Sequence, residues 1–304
     1  MKFDRVAVTG GSGRLGRYVV EELSAHAEVT VLDVTPPAGD HAYAALDVRD
    51  LDAVAAALAG HDAVVHLAAI DDGVPASDET YFETNVQGSW NVLHAAHELG
   101  IRKVVLASSS AAQGLGPRDK PPYYLPIDED HPPRPEGVYG LSKLIVETMA
   151  ASFARRGAME TVCLRPTLIV RPEAVGAIVE QLAFLAARGV VALEPGDETP
   201  QPYGGLPVLR SYVTSRDAAR AFRAALEFAG LPSLVANVAA ADSVGNAATL
   251  DHVRVVYGAL PEVRNPTRYA ARPDASAIDT TRARDLLGWQ TEKDWPAVVA
   301  EQAG

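Results

Sequence analysis

Short apolar, β-branched runs alternate with helix-like stretches over the first 170 residues, and this alternation restricts the fold more than any other feature of the sequence. The strand-like runs are 5–9, 28–33, 63–68, 103–108 and 161–166. The helix-like stretches are 14–25, 51–59, 80–99 and 138–155. Strands separated by helices form βαβ units. Runs such as VVHLAA are apolar throughout, which is typical of strands covered on both faces. We therefore predict an α/β fold built on a doubly wound parallel sheet.

The composition restricts the partners of the chain. Its 27 lysines and arginines are outnumbered by 39 aspartates and glutamates, which gives a formal net charge of −12. A surface this acidic repels nucleic acid and anionic lipid, so we expect neither as a partner. The single cysteine, Cys163, cannot form an intrachain disulfide. Because we also find no secretory signal and no membrane-spanning run, we expect a cytoplasmic protein.

A glycine-rich loop joins the first predicted strand to the first predicted helix. Its glycines are Gly10, Gly13 and Gly16. This spacing permits a tight turn and lets a pyrophosphate approach the backbone at the N-terminus of the helix. An ordinary βα turn can contain the same glycines. The strand before the loop, the helix after it and the acidic Asp33 at the end of the next strand together favour dinucleotide binding.

Two acidic residues and an arginine bear on which dinucleotide is bound. Asp33 can accept hydrogen bonds from the adenosine ribose and would repel a 2′-phosphate, which favours NAD over NADP. Arg14 argues the other way if it reaches a 2′-phosphate, although we expect it to face the pyrophosphate or solvent. Asp47 ends the third predicted strand. It could bind the adenine amino group or equally cap the helix that begins at Leu51.

The rest of the chain departs from the regular alternation. Two loops interrupt it, at 114–137 and 195–207. After them, strand-like runs at 209–214 and 233–240 flank a helix-like stretch at 215–229. Another helix is expected at 279–289. We expect residues 1–170 to form a cofactor-binding domain of Rossmann type that also receives elements from about 208–240. Residues 171–207 and 241–304 are expected to form a smaller substrate-binding section packed on it.

A tyrosine, a lysine and a cluster of serines form a candidate catalytic set. Tyr139 and Lys143 are four residues apart at the start of a predicted helix, so they share one face. A neighbouring cation lowers the pKa of a phenol, and Tyr139 could then accept the proton of a substrate hydroxyl. Ser108, Ser109 and Ser110 end a predicted strand, where ligands bind in parallel sheets. A surface Tyr–Lys pair and turn serines are the alternative. The eight histidines lack ligand spacing, so we expect no metal.

Motifs along nearly the whole chain resemble those of the extended short-chain dehydrogenase/reductase family, also called the NAD-dependent epimerase/dehydratase family. The matching stretches are TGGSGRLG at 9–16, LDV at 46–48, VVHLAA at 64–69, TNVQGSWNVLHAA at 84–96, VVLASSS at 104–110, YGLSK at 139–143, LRP at 164–166, RSYVTSRDAARA at 210–221 and LGW at 287–289. The resemblance implies NAD as the cofactor and Ser109, Tyr139 and Lys143 as the catalytic residues.

The resemblance also implies a set of binding residues and an assembly. The implied cofactor-binding residues are Gly10, Gly13, Arg14, Leu15, Gly16, Asp33, Asp47, Val48, Leu67, Ala68, Ala69, Asn85, Ser108, Tyr139, Lys143 and Pro166. Asn85 matches an asparagine that supports the site from the helix behind it. Ser109, Ser110 and Arg210 are the implied substrate-binding residues. The helices at 80–99 and 138–155 pair in this family as a four-helix bundle, which implies a homodimer.

Some positions depart from the family pattern and bear on the reaction. Ser110 and Ala111 stand where the dehydratases carry Asp-Glu, so we do not expect dehydration. No asparagine follows Leu164-Arg165, which weakens the case for a nucleoside-diphosphate sugar, and Gln113 replaces the expected tyrosine. Arg210 could hold a diphosphate, a carboxylate or a phosphate. It could also be a solvated arginine paired with a surface carboxylate.

Three functions remain open at this point. The first is a dehydrogenase that transfers a hydride between NAD and a secondary alcohol or ketone of a sugar or sugar acid. The second is a nucleoside-diphosphate-sugar 4-epimerase that retains its NAD. The third, a non-catalytic sensor of NAD(H), is disfavoured because a sensor needs no acid–base tyrosine.

Overall fold

Seven parallel strands form the central sheet of the computed structural model, which describes residues 3–115, 120–188 and 209–303. In spatial order the strands are β10 (Ser233–Val238), β7 (Glu160–Pro166), β5 (Lys103–Ala107), β4 (Ala63–His66), β1 (Arg5–Thr9), β2 (Glu28–Asp33) and β3 (Ala42–Ala45). The chain runs outward from β1 in one direction and then from β4 in the other. The strand order therefore reverses between β1 and β4, where doubly wound sheets bind their ligands. The predicted α/β fold is confirmed.

Helices cover both faces of this sheet. Their bounds are α1 (Gly16–Ser24), α2 (Leu51–Leu58), α3 (Asp78–Tyr81), α4 (Gly88–Glu98), α5 (Val138–Ala154), α6 (Val175–Ala187), α7 (Ser215–Glu227), α8 (Thr249–Tyr257), α9 (Pro266–Ala271), α10 (Thr281–Leu287) and α11 (Trp295–Ala303). Two short parallel pairs lie outside the sheet: β6 (Tyr124–Leu125) with β11 (Glu262–Val263), and β8 (Leu168–Val170) with β9 (Tyr212–Thr214).

The alternation of side chains along each strand builds two cores. In β1, Val6 and Val8 pack in a cluster with residues of α1 and α7. Ala7, between them, packs in a second cluster with residues of α2, α4 and α5. Successive residues of a strand point to opposite faces, so a strand covered on both sides must be apolar at every position. This explains the unbroken apolar runs of the sequence.

The structure changes the bounds of several predicted elements. The stretch predicted as one helix at 80–99 is three pieces, because a π-helix at Phe82–Gln87 lies between α3 and α4. The third strand ends at Ala45, before Asp47. The strand-like run at 209–214 is reduced to Tyr212–Thr214, since Arg210 has a φ of 51°, which a strand cannot contain. The predicted loop at 195–207 and part of the loop at 114–137 lie outside the described residues.

The C-terminal residues pack on the body of the molecule through buried contacts. Tyr212 in β9 donates its hydroxyl hydrogen to the buried carboxylate of Asp242 at 2.9 Å, and the other oxygen of Asp242 accepts from the Trp295 N–H at 2.7 Å. The two-part division of the chain stays a prediction. None of the helices within residues 3–115, 120–188 and 209–303 combines the length and the apolar character of a transmembrane span.

Candidate active site and cofactor cleft

A cavity of about 550 Å³ opens where the strand order reverses. Fifteen of the sixteen residues that the sequence predicts to bind cofactor line it: Gly10, Gly13, Arg14, Leu15, Gly16, Asp33, Asp47, Val48, Leu67, Ala68, Ala69, Ser108, Tyr139, Lys143 and Pro166. The loop after β1 and the loop after β4 form its two walls. We call this cavity the cofactor cleft.

The glycine loop leaves room only for hydrogen at two of its positions. Gly10 has a φ of +70°, and a Cβ there would lie 2.5 Å from the backbone nitrogen of Ala68. A Cβ on Gly16 would lie 2.1 Å from the carbonyl oxygen of Gly10. No side chain caps the N-terminus of α1, and Gly16 at its first turn lines the cleft, so the positive end of the helix faces the cavity. These features fit a dinucleotide pyrophosphate.

Asp33 lies at the end of β2 and is tied to the glycine loop. Its carboxylate accepts hydrogen bonds from the N–H groups of Ser12 and Thr35, both at 3.1 Å. These bonds hold a carboxylate at the edge of the cleft, where it can accept further hydrogen bonds from two ribose hydroxyls.

Asp47 does not cap the helix that follows it. It pairs with Arg49 at 2.6 Å, and this contact holds the pKa of the Asp47 carboxyl below its ordinary value. The cap of α2 is Asp50, whose side chain accepts from the Ala53 N–H. The helix-cap interpretation of Asp47 is therefore wrong, and its position on the cleft wall fits the adenine end of a dinucleotide.

Arg14 reaches across the cleft. Its guanidinium forms an ion pair with Asp71, which lies on the loop after β4. In this position its guanidinium is paired with a carboxylate on the opposite wall. A guanidinium between the two walls lies next to the glycine loop, where a pyrophosphate is expected to bind. This supports the prediction that Arg14 faces the pyrophosphate.

Lys143 lies buried beneath the cleft. Its ammonium donates to the carbonyl of Ala107 at 2.9 Å and lies 5.5 Å from the centre of the Tyr139 ring. Burial lowers the pKa of Lys143 to about 8, against the opposing effect of Asp71. At neutral pH the side chain is therefore mostly a cation, which favours a phenolate nearby.

The side chains of Ser109 and Asp71 lie near the hydroxyl of Tyr139. Burial raises the pKa of Tyr139 above its ordinary value, the Asp71 charge raises it further, and the Ser109 hydroxyl acts in the opposite direction. In the protein by itself Tyr139 is a phenol at neutral pH. The positive charges of Lys143 and a bound nicotinamide ring both favour its phenolate.

Asn85 stands behind the cleft rather than in its wall. Its amide accepts from the Ile70 N–H at 2.7 Å, donates to the Ile70 carbonyl at 3.0 Å and donates to the Ser142 hydroxyl at 3.2 Å. Ser142 donates in turn to the carbonyl of Tyr139 at 2.7 Å. The π-helix that contains Asn85 thus fixes both the wall and the helix turn that carries Tyr139.

The three serines have different surroundings. Ser108 lines the cleft, but its hydroxyl donates to the buried carboxylate of Glu147 at 2.5 Å. Glu147 forms a bidentate pair with Arg165 at 2.7 and 2.8 Å. Ser109 lies near Tyr139, and Ser110 begins a short 3₁₀ helix. Neither of these two serines lines a described cavity.

A second cavity of about 350 Å³ shares Tyr139 with the cofactor cleft. Its polar lining residues are Asp72, Tyr81, Arg134, Glu136 and Tyr139. The sequence reasoning did not single out Asp71 or Asp72. They directly follow the stretch VVHLAAI at the carboxyl end of β4, so the rule that ligands bind beyond strand ends could have indicated them.

Arg210 lies apart from both described cavities. It is 9% exposed, beside Gly245, and burial lowers the pKa of its guanidinium. The alternative interpretation of Arg210 as a solvated surface arginine is therefore wrong. Residues 189–208, which precede it closely in the chain, lie outside the described residues.

In the described ranges no group of histidine, cysteine, aspartate and glutamate side chains could hold a metal ion.

The comparison with known families agrees with this geometry. The sequence model of the NAD dependent epimerase/dehydratase family matches residues 6–239. The chain belongs to this family. It is an NAD-dependent enzyme of the extended short-chain dehydrogenase/reductase type, and NAD is its cofactor.

The chain is similar to two proteins of different activity and to a solved structure of the same superfamily. L-arabinose 1-dehydrogenase (NAD(P)(+)) from Haloferax volcanii is 36% identical over 168 residues, which cover 53% of this chain and 65% of that protein. UDP-glucose 4-epimerase from Lacticaseibacillus casei is 30% identical over 318 residues, which cover 95% of this chain and 92% of that protein. A short-chain dehydrogenase/reductase superfamily protein from Agrobacterium tumefaciens, solved with bound NAD, is 27% identical with a TM-score of 0.73, covering 98% of this chain and 96% of that one.

Proposed function

We propose that the protein is a dehydrogenase that transfers a hydride between NAD and a secondary alcohol or ketone of a sugar or sugar-acid-like substrate. The observation that carries this proposal is the position of Tyr139. Its side chain lines both the cofactor cleft and the second cavity, with Ser109 and Lys143 beside it. A base between a hydride acceptor and a substrate cavity is the arrangement that alcohol oxidation requires.

The residues around Tyr139 have separate roles in the proposed reaction. The Ser109 hydroxyl orients the substrate oxygen toward Tyr139, and the phenolate of Tyr139 accepts the proton of that oxygen. Lys143 favours the phenolate by its charge. NAD, when bound, accepts the hydride. Each turnover of a dehydrogenase converts one NAD to NADH, so the cofactor must leave the site and be replaced between turnovers.

The remaining site residues have proposed roles of the same kind. Asp33 and Asp47 hold the adenosine, and Arg14 faces the pyrophosphate. The substrate role of Ser110 and Arg210 rests on the family resemblance alone, since neither lines a described cavity. The bonded carboxylate of Asp33 and the position of Arg14 support NAD over NADP. We also propose that the enzyme acts in the cytoplasm.

A nucleoside-diphosphate-sugar 4-epimerase is the second candidate. The full-length similarity to a UDP-glucose 4-epimerase favours it. The stretch Leu164-Arg165-Pro166-Thr167-Leu168, which lacks an asparagine, disfavours a diphosphate substrate. An epimerase would keep its NAD through gel filtration, and a dehydrogenase would lose it.

An activity panel tests the proposal. The purified protein is mixed with NAD and with L-arabinose, D-galacturonate or UDP-glucose, and NADH absorbance is followed. We expect NADH to accumulate with a free sugar or the uronate. Conversion of UDP-glucose to its 4-epimer without NADH accumulation would replace the dehydrogenase by the epimerase.

A further inference from the structure

A buried histidine connects the central sheet to the helix beside the active site, and the proposed reaction does not use it. His66 ends β4, is 3% exposed and lines neither described cavity. Its Nδ1 lies 2.6 Å from the hydroxyl of Thr9 at the end of β1, and its Nε2 lies 2.9 Å from the hydroxyl of Ser89 in α4. Each ring nitrogen is therefore hydrogen-bonded to a different element.

The direction of these hydrogen bonds follows from the hydrogens that are available. The Ser89 hydroxyl donates its one hydrogen to the Asn85 carbonyl at 2.5 Å, so it accepts from His66. Nε2 is then the ring nitrogen that carries hydrogen. Burial lowers the pKa of His66 to about 3, and the charge of Lys143 acts in the same direction. The ring is therefore neutral, and its Nδ1 accepts from the Thr9 hydroxyl.

The Ser89 hydroxyl stabilises the irregular turn that precedes it. At the end of the π-helix Phe82–Gln87, the Gly88 N–H donates to the carbonyl of Glu83, five residues back. In an ordinary α-helix the partner lies four residues back, and the Asn85 carbonyl would accept from the Ser89 N–H. The Ser89 hydroxyl donates to that carbonyl. A side-chain bond of this kind competes with the regular backbone pattern and so favours the wider turn.

The same turn reaches the backbone of Tyr139. The Asn85 amide accepts from the Ile70 N–H at 2.7 Å and donates to the Ser142 hydroxyl at 3.2 Å. Ser142 in turn donates to the carbonyl of Tyr139 at 2.7 Å. A series of hydrogen bonds and one helix turn therefore lead from His66 to the turn of α5 that carries Tyr139.

We propose that His66 is a positioning residue for the hydride transfer, which rests on the proposed role of Tyr139 as the base. By donating to Ser89, His66 keeps that hydroxyl directed at the Asn85 carbonyl, and the π-helix then presents the Asn85 amide to Ser142. Proton acceptance needs the reacting atoms within hydrogen-bond distance, and a displacement of about 1 Å costs about 10²-fold in rate. His66 thus acts through the position of Tyr139 and not by contact with substrate.

Two substitutions at this one buried position test the role. The amide oxygen of asparagine reaches the place of Nδ1, so His66→Asn keeps the acceptor for Thr9 and loses the donor to Ser89. The amide nitrogen of glutamine reaches the place of Nε2, so His66→Gln keeps the donor to Ser89 and loses the acceptor for Thr9. Each variant lacks one buried hydrogen bond, and only His66→Asn lacks the bond that leads toward Tyr139.

The measurements are kcat for NAD-dependent oxidation of the preferred sugar of the panel and hydrogen exchange at the Ile70 N–H. We expect His66→Asn to lower kcat by about 10²-fold and to speed the exchange, because Asn85 no longer holds Ile70. His66→Gln is the matched control and should keep both values close to those of the wild type. Ser89→Ala breaks the same link from the helix side and should reproduce the losses of His66→Asn.

The possible results separate this inference from the proposed function. Equal kcat and equal exchange in His66→Asn and His66→Gln would show that His66 only stabilises the fold, and would overturn the inference. Wild-type kcat and exchange in Ser89→Ala would overturn it as well, even if the His66 variants do not fold. If Tyr139→Phe keeps full turnover, the proposed function fails and the role in hydride transfer fails with it, whereas the exchange at Ile70, which needs no substrate, still tests the hydrogen-bond series.

Discussion

Asp33 shows how one side chain can select between two cofactors. Its carboxylate is already oriented by two backbone N–H groups, so little freedom is lost when it accepts ribose hydroxyls. Hydrogen bonds to a charged group contribute about 1.5–3 kcal/mol. Asp33→Asn should therefore weaken NAD binding by about 10- to 100-fold and reduce the discrimination against NADP.

Calorimetric titration of the variant with NAD and with NADP measures this prediction. Asp40→Asn removes an exposed carboxylate from the loop after β2 and is the control, with NAD affinity equal to that of the wild type. Tighter binding of NADP than of NAD by the unmodified protein would show that the interpretation of Asp33 is wrong.

At the scale of the elements, a buried ion pair joins β7 to α5 under the active site. Arg165 and Glu147 are each 6% exposed in their side chains, and Glu147 also accepts from Ser108. Removal of one partner leaves an uncompensated buried charge, which costs about 3–5 kcal/mol. Arg165→Met should lower the free energy of unfolding by that amount, as measured by urea denaturation.

The exposed pair of Arg254 and Asp251 in α8 is the control for this experiment, with side chains 55% and 74% exposed. Exposed pairs contribute about 0–1 kcal/mol, so Arg254→Met should change the free energy of unfolding only slightly. If both variants lost the same free energy of unfolding, the buried Arg165–Glu147 pair would stabilise the fold no more than an exposed pair does.

The elements also show what could be predicted from the sequence. The strand–helix alternation and the glycine loop are local patterns, so the sheet and cleft followed from them. Asn85 came from the resemblance, but its support of Ile70 depends on a π-helix that apolar periodicity cannot distinguish from an ordinary helix. The Arg14–Asp71 ion pair joins residues far apart in the chain and has no local signal.

At the scale of the whole molecule, we propose a homodimer built on α4 and α5. The two helices pack side by side. On these helices and the adjoining π-helix, Phe82, Trp90 and Leu141 are 53%, 41% and 45% exposed. Such large apolar side chains on neighbouring helices are typical of an association surface, and a two-fold axis would bury them as a four-helix bundle.

Light scattering tests this assembly. We expect twice the 32.1 kDa chain mass at micromolar concentration. Trp90→Glu should yield the single-chain mass, because an ionised carboxylate is costly to bury. Val255→Glu, at a 63% exposed position on α8, should keep the double mass. A mass of 32.1 kDa for the wild type would contradict the proposed dimer.

The central claim is that Tyr139 is the general base of a hydride transfer, and Tyr139→Phe tests it most directly. The substitution removes the hydroxyl and keeps the ring that lines the cleft. We predict that turnover with the preferred sugar of the panel falls by about 10²–10⁴-fold, while the affinity for NAD changes little. Turnover close to that of the wild type, with NAD affinity unchanged, would show that Tyr139 is not the base.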